Sequence, residues 1–328
     1  MNISDIINIT EGQLVNSPKI QAIEAASVYA SKIDHGDLFF SSLQEDIDTA
    51  IANGAYAIVY DNDEIIQNDT EIAWIKVTDI ALAAMKLVRF VLLKKEADFY
   101  LLTHHELSFV KMLINDRRSI SIIPSDWKKA FEMMVNSPSR LFIGDDEELL
   151  RLIKPDVKRL KKEVEWQIVT ETLFRSTFKM NNYVYQDYEL APFHMEAFSR
   201  ALAFFETHEI KFEIEKLRYT KHFLPVFIDN NLQTVPSGKS DKVVVFIDNM
   251  EDVAKSREYM KYKMKWLKSI VLTPPKTKIE GYDNPIWFND ANDVHSTLKN
   301  RYYNYAFILN SDKSILPKLQ ENFSLFYL

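Results

Sequence analysis

The chain has 328 residues, 47% of them hydrophobic, a net charge of −7 and no cysteine. At about 100–200 residues per domain, that length supports a large core divided between two or three domains. The missing cysteines exclude a disulfide framework, thiolate catalysis and thiolate-held zinc or iron–sulfur centres, and the acidic balance disfavours the cationic face that nonspecific nucleic-acid binding requires.

Taken in order, the chain opens with Met1-Asn2-Ile3-Ser4-Asp5, which has no basic region ahead of an apolar one. No signal peptide is expected, and no membrane span either, because the most apolar long window, 80–93, is interrupted by Lys86 and Arg89. Ser4 is expected to cap a short helix ending at Gly12, with strand candidates at 13–15 and 19–25, and His35-Gly36-Asp37 turns into a strand at 38–40. A helix over 43–53 stops at Gly54, where a left-handed residue costs least, before a strand at 56–60. A long amphipathic helix from Ile80 to about Lys95 leads to the apolar run 99–102 and to a helix that starts around Thr103. A strand at 141–144 runs into Asp145-Asp146-Glu147-Glu148, carboxylates that suit a helix start, where the macrodipole favours anions by about 0.3–1 kcal/mol each. The mixed charge run 154–165 reads as an exposed helix face, and another helix runs from near His194 to about His208. The last third alternates strand 242–248, helix 250–268, strand 269–273, short strand 286–288, helix 290–299 and strand 305–309. Such alternation implies a parallel sheet with helical crossovers, and the fold class is α/β.

The turn after 99–102 is where a nucleotide-binding protein would wrap a phosphate. A P-loop there needs glycines that let backbone N–H groups close on phosphate oxygens, a Lys for the outer phosphates and a Ser or Thr for magnesium. The string THHELSF at 103–109 supplies none of these in place. Glycine is scarce throughout: the chain has six, at 12, 36, 54, 144, 238 and 281, where average usage would give roughly 20 or more. Drift toward Lys, Asn and Ile contributes to this, yet no Gly-rich loop is left. Ser237-Gly238-Lys239-Ser240 ends like a P-loop, but Gln233 holds the place of the first glycine and a strand follows, so it reads as a polar turn. His104-His105-Glu106 suggests a metal at first sight; adjacent helical residues point about 100° apart and make a poor joint ligand set, so no metal is expected. Lys255, Tyr259, Lys261, Tyr262, Lys263, Lys265, Trp266 and Lys268 mix cations with aromatics on the expected helix 250–268, either a solvated face or a surface for an acidic partner.

The strings EGQLV at 11–15, HGDLFF at 35–40, AIANGAYAIVY at 50–60 and IKVTD at 75–79 recur with this order and spacing in the N-terminal domain of Mur ligases. These are the ATP-dependent amino-acid ligases of peptidoglycan precursor synthesis, and the chain resembles their diaminopimelate-adding or D-Ala-D-Ala-adding branch. In the register of the family's T-G-T-N-G-K-T-T motif, Thr103 matches, while His104 and Leu107 stand where glycines belong, Ser108 where the Lys belongs and Phe109 where the magnesium-binding Thr belongs. The D-S-R element that meets the nucleotide sugar aligns with Tyr29-Ala30-Ser31. The string LFIGDDEELL at 141–150 and the stretch around His194 resemble the end of the family's central domain, with Phe193 and Met195 in place of the Gly and Asn beside that His. Phe246-Ile247-Asp248-Asn249 and Asn310-Ser311 stand where D-D-x-Y-N-A-N-P and K-G-S would be.

The resemblance implies a three-domain α/β architecture: a Mur-ligase N-terminal-like domain at 1–79, a shortened, degenerate central P-loop-type domain at 80–222 and a Rossmann-like C-terminal domain at 223–328. It implies a chain without catalytic residues, cofactor or metal, acting in the cytoplasm as a scaffold or regulator of cell-wall precursor synthesis. The partner expected is another protein of peptidoglycan synthesis or of the elongation machinery, with Lys261, Lys265 and Lys268 as possible contacts. Two alternatives stay open, a ligase with residual or altered ATP-dependent activity on a UDP-muramoyl peptide and a ligand sensor using the old interdomain cleft.

Overall fold

The structure is a computed structural model that describes residues 1–20, 22–93, 95–275 and 284–317, so Gly281 lies outside it. The chain forms two compact units, one from residues 1–103 and 115–161, the other from 104–114 and from 162 onward.

In the first unit, α1 (Ile3–Thr10) buries Ile3 and Ile6. Its cap is Asn2, whose backbone is extended and whose N–H donates to Asp5 Oδ2 at 3.3 Å, and Ser4, expected as the cap, lies inside the helix. Strands β1 (Gln13–Leu14), β2 (Ala26–Ser27), β3 (Leu38–Phe40), β4 (Ala57–Tyr60) and β5 (Ala73–Lys76) form a sheet in the order β1-β5-β4-β3-β2, parallel except for β1. No strand forms among the described residues of the stretch expected at 19–25. Its N–H groups go to three different neighbours, Lys19 to Glu71 O, Ile23 to Met1 O and Glu24 to Gly36 O, so nothing beyond an isolated bridge of Ala22 with Asn2 builds, and strand pairing begins at β2. Helix α2 (Gln44–Ala52) ends as expected before Gly54, which has φ +101°; a Cβ there would also come within 3.0 Å of His35 Cα.

Helix α3 (Ile80–Leu93) leads to β6 (Asp98–Leu101), α4 (His104–Leu113), β7 (Ser121–Ile122), α5 (Trp127–Asn136), β8 (Leu141–Gly144), α6 (Glu147–Ile153) and β9 (Lys158–Arg159). Of these, α4 belongs to the second unit. The four strands pair in parallel in the order β7-β8-β6-β9. A core running through the unit includes Phe40, Val59, Ile75, Val88, Phe131, Phe142 and Leu150, and a second cluster holds Phe39, Ile58 and Trp74. The charge run 154–165 is not a helix: α6 stops at Ile153 because Lys154 precedes Pro155, whose ring disfavours the helical region for the residue before it, and an irregular chain with β9 follows.

The second unit combines α4 with an antiparallel sheet of β10 (Trp166–Glu171), β11 (Ser176–Met180) and β12 (Tyr183–Tyr188), then α7 (Met195–Thr207). Beyond these lie β13 (Phe223–Ile228), β14 (Lys242–Ile247), α8 (Met250–Lys263), β15 (Ser269–Thr273), β16 (Ile286–Trp287), α9 (Ala291–Asn300) and β17 (Tyr305–Leu309). Their sheet has the order β13-β14-β17-β15-β16. It is parallel as expected across β14, β17, β15 and β16, but β13 pairs antiparallel with β14, so the sheet is mixed. Helix α8 is shorter than expected: Met264 leaves the helical region at ψ 53° and Leu267 N–H turns back to Met264 O. Lys261 is therefore helical, whereas Lys265 and Lys268 follow the helix. Among the described residues no helix is long and apolar enough to cross a membrane.

Candidate functional site

At the segment that the resemblance aligns with a phosphate-binding turn, α4 begins directly at His104. Leu107 and Phe109 are buried, Phe109 to 1% exposure, and the Phe109 ring meets Phe198 of α7 edge-on at 5.6 Å. Glu106 is buried beside Arg200 at 3.5 Å. Thr103 and His104 are exposed and Ser108 is half-buried. The start of this helix therefore presents bulky side chains inward where a phosphate-binding turn would present bare backbone.

His105, on the first turn of α4, faces a different neighbourhood. Its Nε2 lies 2.6 Å from Asp252 Oδ2, and His194 Nε2 lies 3.0 Å from Asp252 Oδ1, so one carboxylate holds two imidazoles. The two rings are 3.9 Å apart at 33°. His194 ends a short 3-10 turn (Pro192–His194) that leads into α7, and Asp252 sits in the first turn of α8. Asn249, the α8 N-cap, accepts the Asp252 N–H at 2.8 Å and donates Nδ2 to Asp252 Oδ2 at 3.0 Å. The cap thus fixes the carboxylate as well as the helix end. On the far side of His105, Nδ1 is 3.3 Å from Thr220 Oγ1. Beside the cluster His222 Nδ1 pairs closely with Asp248, and the His104 ring stacks on His222 at 5.3 Å.

Burial is nearly complete at the centre, with side-chain exposures of 3% for Asp252 and 5% for His194, against 13% for His105. Burial pushes the His194 imidazolium down in spite of its bond to Asp252. For Asp252 burial acts in the opposite sense, raising the carboxyl, but the hydrogen bonds from His105 and His194 outweigh it and hold Asp252 well below the usual carboxylate range. The same contest at Asp248 ends the same way, with burial raising it and the bonds from His222 and Asn249 lowering it further.

His104 and His105 diverge because they are neighbours on one helix. That spacing says nothing of partners from elsewhere, since Asp252 is 147 residues along the chain from His105. His194 was visible in the sequence through the family motif around it, and Asp252 only as the third residue after an Asn cap. Ser237 and Gly238, the latter at φ +78°, form the expected turn and border a cleft of about 590 Å³ whose walls include Phe174, Phe227, Tyr259 and Tyr305. Asp146 caps α6 as expected, accepting the Leu149 N–H at 3.0 Å. Lys261, Lys265 and Lys268 are exposed, and Lys268 Nζ lies 5.1 Å above the Tyr302 ring.

No family model matches the chain, and no curated protein sequence matches it. Among solved structures it is similar to the MurF ligase from Thermotoga maritima in complex with ADP, at 11% identity and a TM-score of 0.52, over 89% of this chain and 95% of that one. It is also matched to MurF from Acinetobacter baumannii at 10% identity and a TM-score of 0.47, over 94% of this chain and 95% of that one. At such identities the likeness speaks to architecture alone, and it agrees with the strings of the N-terminal third: the chain has a Mur ligase-like α/β fold over most of its length.

Proposed function

We propose that this chain is a non-catalytic relative of the Mur ligases that acts in the cytoplasm as a scaffold or regulator of peptidoglycan precursor synthesis, through contact with another protein of that synthesis or of the elongation machinery. One observation carries the non-catalytic reading: Phe109, at the position of the magnesium-binding Thr, is buried against Phe198, and Leu107, at the position of a glycine, is buried with it. A glycine-to-leucine exchange removes the close approach of backbone to phosphate, and a phenyl ring offers magnesium no oxygen.

Each hydrogen bond to a charged group contributes about 1.5–3 kcal/mol, and about 1.4 kcal/mol is tenfold in affinity. Loss of the Lys and of two or three backbone contacts therefore moves Mg-ATP binding beyond millimolar. Calorimetry with ATP and magnesium is expected to detect no heat of binding at micromolar protein. A micromolar dissociation constant would overturn the reading and restore an ATP-dependent ligase. Affinity capture from native cells tests the scaffold role, which fails if no protein of cell-wall precursor synthesis or elongation is retained.

A further inference from the structure

We infer that His105, His194 and Asp252 form a binding site for one divalent transition-metal ion of the zinc class. The three side chains offer two imidazole nitrogens and a carboxylate oxygen, and their ligand atoms all lie within 4.8 Å of one another. Ligands about 2.0–2.2 Å from zinc are about 3.3 Å apart across a tetrahedral edge and about 2.9 Å apart across an octahedral one. The observed separations, 2.6 Å from His105 Nε2 to Asp252 Oδ2 and 3.0 Å from His194 Nε2 to Asp252 Oδ1, open by about 0.3–0.7 Å to reach a tetrahedral edge. When the ion enters, each ring binds as the neutral imidazole: Nε2 gives up its proton to solvent, Nδ1 takes one from solvent, and the freed Nε2 lone pair binds the metal.

The donor set selects the class of ion. Two imidazoles with one carboxylate and no thiolate suit zinc and its first-row neighbours, and match poorly the all-oxygen shells that magnesium and calcium prefer. Three protein ligands leave a coordination position for water or a small anion. The supporting groups that metal sites use are also present. Thr220 Oγ1 stands beside His105 Nδ1, able to accept its N–H once Nε2 is committed to the ion, and Asn249 fixes Asp252 by two hydrogen bonds. The ligands come from three segments, the starts of α4 and α8 and the turn before α7, so the ion would clip together parts of the second unit that the chain brings in from far apart.

This inference does not depend on the non-catalytic reading, because ATP calorimetry can fail or succeed whatever metal binding does. The test uses the full chain, stripped with a chelator and titrated with Co²⁺ as a spectroscopic substitute for Zn²⁺. Visible d–d absorption is expected to grow and saturate at one equivalent, and Zn²⁺ is expected to abolish it by displacement. Asp252→Asn and His194→Gln should each weaken binding by more than about 100-fold, Thr220→Val by about 10-fold, and His35→Gln, remote in sequence from the cluster, not at all. Absence of Co²⁺ absorption in the parent, or equal binding by parent and Asp252→Asn, overturns the site. Should the two buried variants lose their fold by circular dichroism, His105→Gln at the more exposed edge decides the matter: undiminished binding there overturns it as well.

Discussion

On the proposed reading Phe109 takes the place of a threonine whose hydroxyl would meet magnesium, and its ring is closed in by Phe198 and by His105 at 6.5 Å. A side chain exposed to only 1% leaves a cavity when truncated, and aromatic truncations in cores cost about 3–5 kcal/mol. Phe109→Ala is accordingly expected to lower the free energy of unfolding by that amount, seen as a lower denaturation midpoint at an unchanged slope, since the slope reports the surface exposed on unfolding. A loss below about 1 kcal/mol would show that the space around the ring is open, and an open space is what a phosphate site would need. Burial of Phe109 was legible from the sequence, because a bulky apolar residue in the first turns of a helix after a buried strand has nowhere else to go. The role of His105, about one turn earlier on the same helix, was not. Its partners become neighbours only through tertiary folding, and no local spacing encodes that.

Among the elements, those whose side chains are buried on both faces were the easiest to find. Val243, Val244, Val245, Phe246 and Ile247 of β14 are all buried, and their unbroken apolar run marks a strand whatever surrounds it. Helix starts with Asp or Asn caps were equally plain: Asn249 and Asp290 both accept backbone N–H groups of their own first turns. The sheet of β10, β11 and β12 was hidden because two of its strands carry mostly exposed residues, including Trp166, Val169, Tyr183 and Val184, so no apolar alternation announces them. The end of α8 was placed too late because Lys and Trp are good enough helix residues to continue it, and only Met264 turning out of the helix stops it. This changes what a charge reversal at the three lysines would test. Lys261 is helical while Lys265 and Lys268 follow the helix, so the triple change to Glu probes the corner between α8 and β15. All three are exposed, and substitutions there usually move stability within about 0.5 kcal/mol, with about 0.5–1 kcal/mol more for the cation–π contact of Lys268 with Tyr302. Melting should shift by no more than this while partner capture is lost, and unaltered capture would remove this corner from the proposed contact surface.

At the scale of the whole chain, the two units are threaded rather than consecutive: the backbone passes from one to the other after residues 103, 114 and 161. The second unit therefore depends on an eleven-residue insert, 104–114, that reaches it from the middle of the first unit's sequence. That insert supplies Phe109 to the face of α7 around Phe198, an antiparallel bridge from Ile114 to Phe212, and a hydrogen bond from Glu213 N–H to Leu113 O. A fragment beginning at residue 162 lacks all three and uncovers the part of α7 around Phe198 that Phe109 packs against. Burial contributes about 25 cal/mol per Å² of apolar surface, and domain stabilities are only about 5–15 kcal/mol, so uncovering one face of a central helix removes a large part of what holds the unit together. The fragment 162–328 is expected to lack a cooperative melting transition and to aggregate, and a version with residues 104–114 joined through a flexible linker to its N-terminus is expected to recover one. A sharp transition from the fragment without the insert, at the temperature of the joined version, would show that α4 is a passenger on this unit rather than part of its core.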